Sequence, residues 1–136
     1  MKVDEVREWM EIADRDFDSA LILNEAVRRH YEIICYHCAQ AAEKYLKGYL
    51  VYQNIMPAKT HHLPYLNGLC MEIDNGFQNI MTACDFLNQF ATDIRYPNRY
   101  DVTEGDVTIS LNAVEKIRHF KSILDLREII NITDEG

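Results

Sequence analysis

Gln40, Glu43, Lys44 and Lys47 recur at steps of three or four residues. In a helix those steps bring side chains onto one face. Two ammonium groups beside a carboxylate read in two ways: a solvated face with Glu43 and Lys47 as an i,i+4 ion pair, or cations that hold a phosphate. A second group is His61 and His62 beside Lys59. Imidazole exchanges a proton near neutral pH, but it becomes a base or ligand only with a partner, and otherwise caps a loop or sits at the surface. The third group is Arg95-Tyr96-Pro97-Asn98-Arg99-Tyr100. Arginine offers forked donors for phosphate and tyrosine offers a stacking face for a base, although the same residues could cap a helix with an aromatic plug.

Other chemistries lack their residues. There is no glycine-rich phosphate loop and no trustworthy Ser/His/Asp or Cys/His order. Cys35 and Cys38 make half of a zinc pattern without the second pair, inside a helical pattern where cysteine packs as a small apolar residue. No metal and no cofactor are expected. Tyr36, Tyr45 and Tyr49 fall at helical spacing in an apolar segment and read as core or interface.

The elements that must carry these groups are helices. All three prolines lie between periodic segments, and of the five glycines only Gly48 interrupts a strong helical pattern. Residues 4–29 place Val6, Met10, Ala13, Phe17, Ala20, Leu21, Asn24 and Val27 on one stripe, with Asp4 able to cap the start. Residues 31–52 are apolar nearly all round, as in a helix central to a bundle or facing a second subunit. After a connector, Thr60 is a candidate cap and Pro64 suits the first turn of a short third helix that stops at Asp74-Asn75-Gly76. A fourth helix spans 77–94. A fifth spans 103–130, opening on Thr103 and Asp106 in a capping-box arrangement. The expected fold is all-α, an antiparallel up-and-down bundle of four to five helices over residues 1–132, with a frayed tail at 133–136.

The chain has 136 residues, with 14 basic and 22 acidic side chains and a net charge of −8. That length is one domain able to hold a core without staples. The 48% apolar and 26% charged fractions are those of a folded globule. The acidic balance argues against a broad nucleic-acid-coating surface. The acids gather on the first segment, around 72–74 and 101–106 and in the tail, whereas Lys44, Lys47, Lys59, Arg95 and Arg99 form a small basic set. An acidic body with a small basic pocket suits a discrete phosphate better than a long polyanion. No run of about 18 apolar residues could span a membrane. The start, Met1-Lys2-Val3-Asp4-Glu5, has no apolar signal core, so a cytoplasmic protein with reduced cysteines is expected.

These groups together resemble the HEPN domain family. The matching residues are Trp9, Ala13, Asp14, Asp16 and Ala20 on the first segment, Ala39-Gln40-Ala41-Ala42-Glu43-Lys44 with Leu46 and Lys47 on the second, Thr60-His61-His62-Leu63 in the connector, Arg95-Tyr96-Pro97, and Ala113-Val114-Glu115 on the last. The resemblance covers nearly the whole chain. It implies a helical bundle that often forms a homodimer, and that is often encoded with or fused to a minimal nucleotidyltransferase in toxin–antitoxin pairs. Some members of the family are metal-independent ribonucleases that use an arginine followed, after four to six residues, by a histidine. Arg95 matches the arginine, but the histidine window holds Tyr100, Asp101 and Val102, and the window after Arg99 holds Glu104, Gly105 and Asp106. A phenol with a pKa near 10 is a poor substitute for imidazole in acid–base work.

The resemblance therefore implies a non-catalytic module binding a nucleotide, a nucleotidyltransferase partner, or both. Lys44, Lys47, Arg95 and Arg99 would lie toward phosphates, Tyr96 or Tyr100 would stack on a base, and His61 would support the site. RNA is a less favoured ligand. The alternatives are a ribonuclease toxin with a degenerate site and a purely structural dimerisation module.

Overall fold

The computed structural model describes residues 2–56, 59–92 and 101–135, with side chains as far as residue 131. All regular structure among the described residues is helical: α1 (Lys2–Asn24), α2 (Tyr31–Tyr52), α3 (Leu63–Ile73), a 3-10 turn (Asn75–Ile80), α4 (Met81–Asn88), α5 (Glu104–Arg118) and α6 (Lys121–Glu135).

α1 buries Val6, Met10, Ala13, Phe17 and Ala20, the stripe its periodicity dictates. The helix ends sooner than the pattern suggests. Arg29 folds back so that its Nε and Nη2 donate to Asn24 Oδ1 at 3.1 and 2.7 Å, while Nη1 meets Glu104 at 2.9 Å and the guanidinium covers the Tyr31 ring. This clasp turns the chain after Asn24. It leaves Val27 fully exposed at 103%; Leu21, still within α1, is 41% exposed, and neither belongs to the core stripe.

α2 returns antiparallel to α1. Tyr45 meets Asp14, Gly48 meets Trp9 and Met10, and Tyr52 meets Lys2. A Cβ on Gly48 would sit 3.3 Å from the Trp9 Cβ, so the glycine permits a close approach that repays its poor helix propensity. α2 ends at Gln53 and turns through Asn54 at φ 65°, where Ile55 N donates to Leu50 O and Asn54 N to Val51 O. Those two bonds are a Schellman motif, and asparagine tolerates its left-handed position. The motif sends the connector back toward the middle of α2.

α3 meets the end of α4 where Leu63 N donates to Asn88 Oδ1, and meets the 3-10 turn where Asn67 Nδ2 donates to the Phe77 carbonyl. The residue that caps α3 is His62, whose Nδ1 accepts from Tyr65 N, with Pro64 in the first turn; Thr60 instead accepts from His62 N. The segment from 77 starts as the 3-10 turn and becomes α-helical at Met81. α5 opens on the reciprocal Thr103–Asp106 capping box and runs alongside α2 in the same direction, Ser110 meeting Cys35 and Arg118 meeting Tyr45.

The expected fifth helix is divided at His119 and Phe120. His119 Nδ1 donates to the Glu115 carbonyl, and Phe120 turns in to meet Phe77 at 4.7 Å, which in turn meets Tyr49 at 4.6 Å. Burying that ring redirects the chain into α6. Ser122 of α6 then donates to Asp74 at the end of α3. One core, centred on α2, joins all the helices.

Candidate functional site

Glu43 lies near the middle of α2 and is 2% exposed, although Lys44 follows it and Lys47 is one turn on. A carboxylate taken out of water needs charge and hydrogen bonds around it. Lys47, one turn later, donates to Glu43 Oε2 at 2.9 Å and is itself 6% exposed. The Lys47 ammonium also lies 5.7 Å from the centre of the Trp9 ring on α1. Lys44 sits 3.9 Å from the same carboxylate, donates to Gln40 Oε1 at 2.6 Å and approaches Asp16 of α1 at 3.7 Å. Asp16 also faces His37 at 3.4 Å. The face read as possibly solvated is therefore a covered ion cluster between α1 and α2.

The connector closes it. His61 Nδ1 meets Glu43 Oε1 at 2.7 Å, and a carboxylate oxygen can only accept, so Nδ1 carries the proton. The rest of the His61 ring is half exposed and lines a cavity of about 320 Å³ with Lys59, Thr60, His62 and Asn88. Gln40 Nε2 is buried and has no partner among the described residues. The three groups Lys44, Lys47 and His61 thus come together around Glu43. Arg95, Tyr96, Arg99 and Tyr100 lie outside the described residues. Asp16, Trp9 and Asn88 are parts of the site that residue spacing could not nominate. Asp16 and Trp9 stand in the matched motif of the first segment, but nothing local connects them to Glu43 or Lys47.

A second, partly buried network is architectural. Arg127 of α6 holds Asp14 of α1 with two donors at 2.8 and 3.0 Å, Tyr45 donates to the same carboxylate, and Arg118 Nε donates to the Tyr45 oxygen at 3.0 Å while its guanidinium covers Phe17. Burial above all, with Asp14 next, pushes the Tyr45 phenol well above its ordinary value. The cysteines are buried free thiols. Burial lifts Cys35 to about 11 and Cys84 to about 12, so their nucleophilic thiolates are scarce at neutral pH. Among the described residues no cluster of His, Cys, Asp or Glu is placed to hold a metal, and no helix is long and apolar enough to cross a membrane.

The family model for the HEPN domain matches residues 6–124. The crystal structure of ST0689, an archaeal HEPN homologue, is 26% identical, covers 92% of this chain and 97% of its own, and superposes with a TM-score of 0.67. The TT1696 protein of Thermus thermophilus shares the fold at 21% identity and a TM-score of 0.72, over 89% of this chain and 97% of its own. No curated protein gives a significant match. The matched span takes in the Glu43 cluster, the connector and the first turn of α6, and the chain belongs to the HEPN domain family.

Proposed function

We propose that this chain is a non-catalytic HEPN module that binds a nucleotide, a minimal nucleotidyltransferase partner, or both, as one member of a toxin–antitoxin-type pair, and that it works as a homodimer in the cytoplasm. The observation that carries the reading is the Glu43 cluster. Lys44, Lys47 and His61 converge there beside a cavity whose wall continues at Asn88, Ala91 and Thr92.

Lys44 and Lys47 touch carboxylates, so they contribute positive field and hold the frame. Arg95 and Arg99 supply the phosphate contacts, Tyr96 or Tyr100 the stacking surface, and His61 the donor at the rim. Tyr100 stands where the ribonuclease pattern needs a histidine, so phosphate recognition is kept and acid–base cleavage is not supported.

Isothermal titration with ATP, AMP and GTP tests the nucleotide half. At least one should bind below millimolar concentration, and Arg95→Glu should abolish the heat. Silence with all three at millimolar ligand would remove the claim.

A further inference from the structure

His61 and His62 are neighbours in sequence with opposite hydrogen-bonding roles at the same ring nitrogen. His61 Nδ1 meets the buried Glu43 carboxylate at 2.7 Å, so it donates. His62 Nδ1 lies 3.1 Å from Tyr65 N, and a backbone amide only donates, so here Nδ1 accepts. A ring nitrogen that accepts carries no proton. The His62 proton is therefore on Nε2 and the ring must be neutral. His61 is under no such demand, because Nδ1–H is present both in its neutral tautomer and in its cation. The first turn of α3 shows what hangs on the His62 lone pair. Leu63 N donates to Asn88 Oδ1, Pro64 has no N–H, and Leu66 N donates to the His62 carbonyl. Of the amides in that turn, only Tyr65 N relies on the His62 ring.

We propose that His62 is an acid-released cap: a proton on its ring frees the first turn of α3, while His61 keeps the connector bound to Glu43. A charged His62 has N–H groups on both nitrogens and can no longer accept from Tyr65. It also sets a cation at the positive end of α3, where the helix dipole disfavours it. The surroundings do not offset this. Lys59 and His61 of the connector line the same cavity as His62, and α4 adds Asn88, Ala91 and Thr92, none of them charged. Among the described residues lining this cavity there is no carboxylate. From α3 the nearest titratable group in sequence is the half-exposed Tyr65 phenol. His61 by contrast has the Glu43 carboxylate, with Lys47 and Lys44 behind it. A cap that needs the neutral ring holds at high pH and is lost as pH falls. Imidazole is the side chain that changes charge between about pH 5 and pH 8, which sets the range of the release. The rim of the cavity then has two forms: capped, with Lys59 as its fixed cation, or loosened, with a second cation at His62. The proposal concerns the frame of the site and does not depend on the nucleotide reading.

Long-range proton–nitrogen NMR of the intact protein in mildly alkaline solution reads the tautomers directly. His62 should carry its proton on Nε2 and His61 on Nδ1. Amide hydrogen exchange, expressed as protection factors from about pH 8 to about pH 4.5, then follows the cap. The Tyr65 amide should lose about fivefold of its protection as pH falls, the effect of losing one helix cap. His62→Asn supplies a capping oxygen that does not titrate in this range, so its Tyr65 protection should stay level. His62→Ala should leave Tyr65 weakly protected at every pH. Asp74, at the far end of α3, is present in all three proteins and drops out of the comparison. The His61 Nδ1 proton should remain hydrogen-bonded throughout. A His62 proton on Nδ1, a wild-type Tyr65 amide of constant protection, or an equal decline in His62→Asn would overturn the proposal. Loss of the His61 bond together with the Tyr65 protection would overturn the selective release, since the connector would then leave as a whole.

Discussion

A carboxylate that is 2% exposed is tolerated at Glu43 because Lys47 meets one oxygen at 2.9 Å and His61 the other at 2.7 Å. The ammonium of Lys47 is nearly as buried, so each charge is the other's solvent. Removing one partner leaves the other uncompensated, which typically costs about 3–5 kcal/mol. Glu43→Ala should therefore lower the unfolding free energy by about that amount in urea titrations. The pair Glu43→Leu with Lys47→Met should recover most of the loss, because apolar residues of similar size need no counter-charge. A single variant within about 0.5 kcal/mol of wild type would show that the cluster is solvated after all. His61 would also lose its anchor in Glu43→Ala. The cavity rim and the core of α2 are thus coupled through one side chain.

At the scale of elements, local chemistry at helix ends decides where the chain turns. α5 starts where Thr103 Oγ1 accepts from Asp106 N at 3.1 Å and Asp106 Oδ2 accepts from Thr103 N at 3.0 Å. Losing such a cap costs about 0.5–2 kcal/mol. Thr103→Ala should show that loss in chemical denaturation, and adding Asp106→Ala should cost less than the sum of the two single changes, since the bonds are reciprocal. A fully additive double variant would mean that the two bonds act independently. This cap, the start and end of α2 and the stop at Asp74 were all legible as residue patterns. The end of α1 and the break at His119 and Phe120 were not. Arg29 reaches Glu104 only because α5 lies nearby, and Phe120 leaves the helical path because Phe77 waits for it.

At the scale of the molecule, Asp74 ties the end of α3 to α6. The hydroxyl of Ser122 chiefly, and the amide of Gly76 next, hold its carboxyl below the ordinary carboxylate range. A group whose folded pKa is depressed contributes stability above its unfolded pKa, about 3.9, and that contribution is lost as pH falls through the folded value. Melting temperature should therefore fall as pH drops from about 5 toward 3, and Asp74→Asn should flatten that slope while lowering the melting temperature at pH 7. Parallel pH profiles for the two proteins would exclude Asp74 as a contributor. Since Ser122 opens α6 and Phe120 precedes it, acid should loosen α6 before the α1–α2 pair.

Helix type, helix order and the membership of most residues in the core follow from period and punctuation, because apolar spacing and helix caps act within a few residues. The candidate groups Lys44, Lys47 and His61 were visible for the same reason, as charged or titratable residues standing out from apolar or connecting segments. That Glu43 is buried and that it binds His61 across 18 residues are long-range facts. They depend on the turn at Asn54, on α3 returning past α2, and on Asn88 reaching back to Leu63. Burial and hydrogen-bond partnership are properties of neighbours in space, and the chain specifies them only once it has folded.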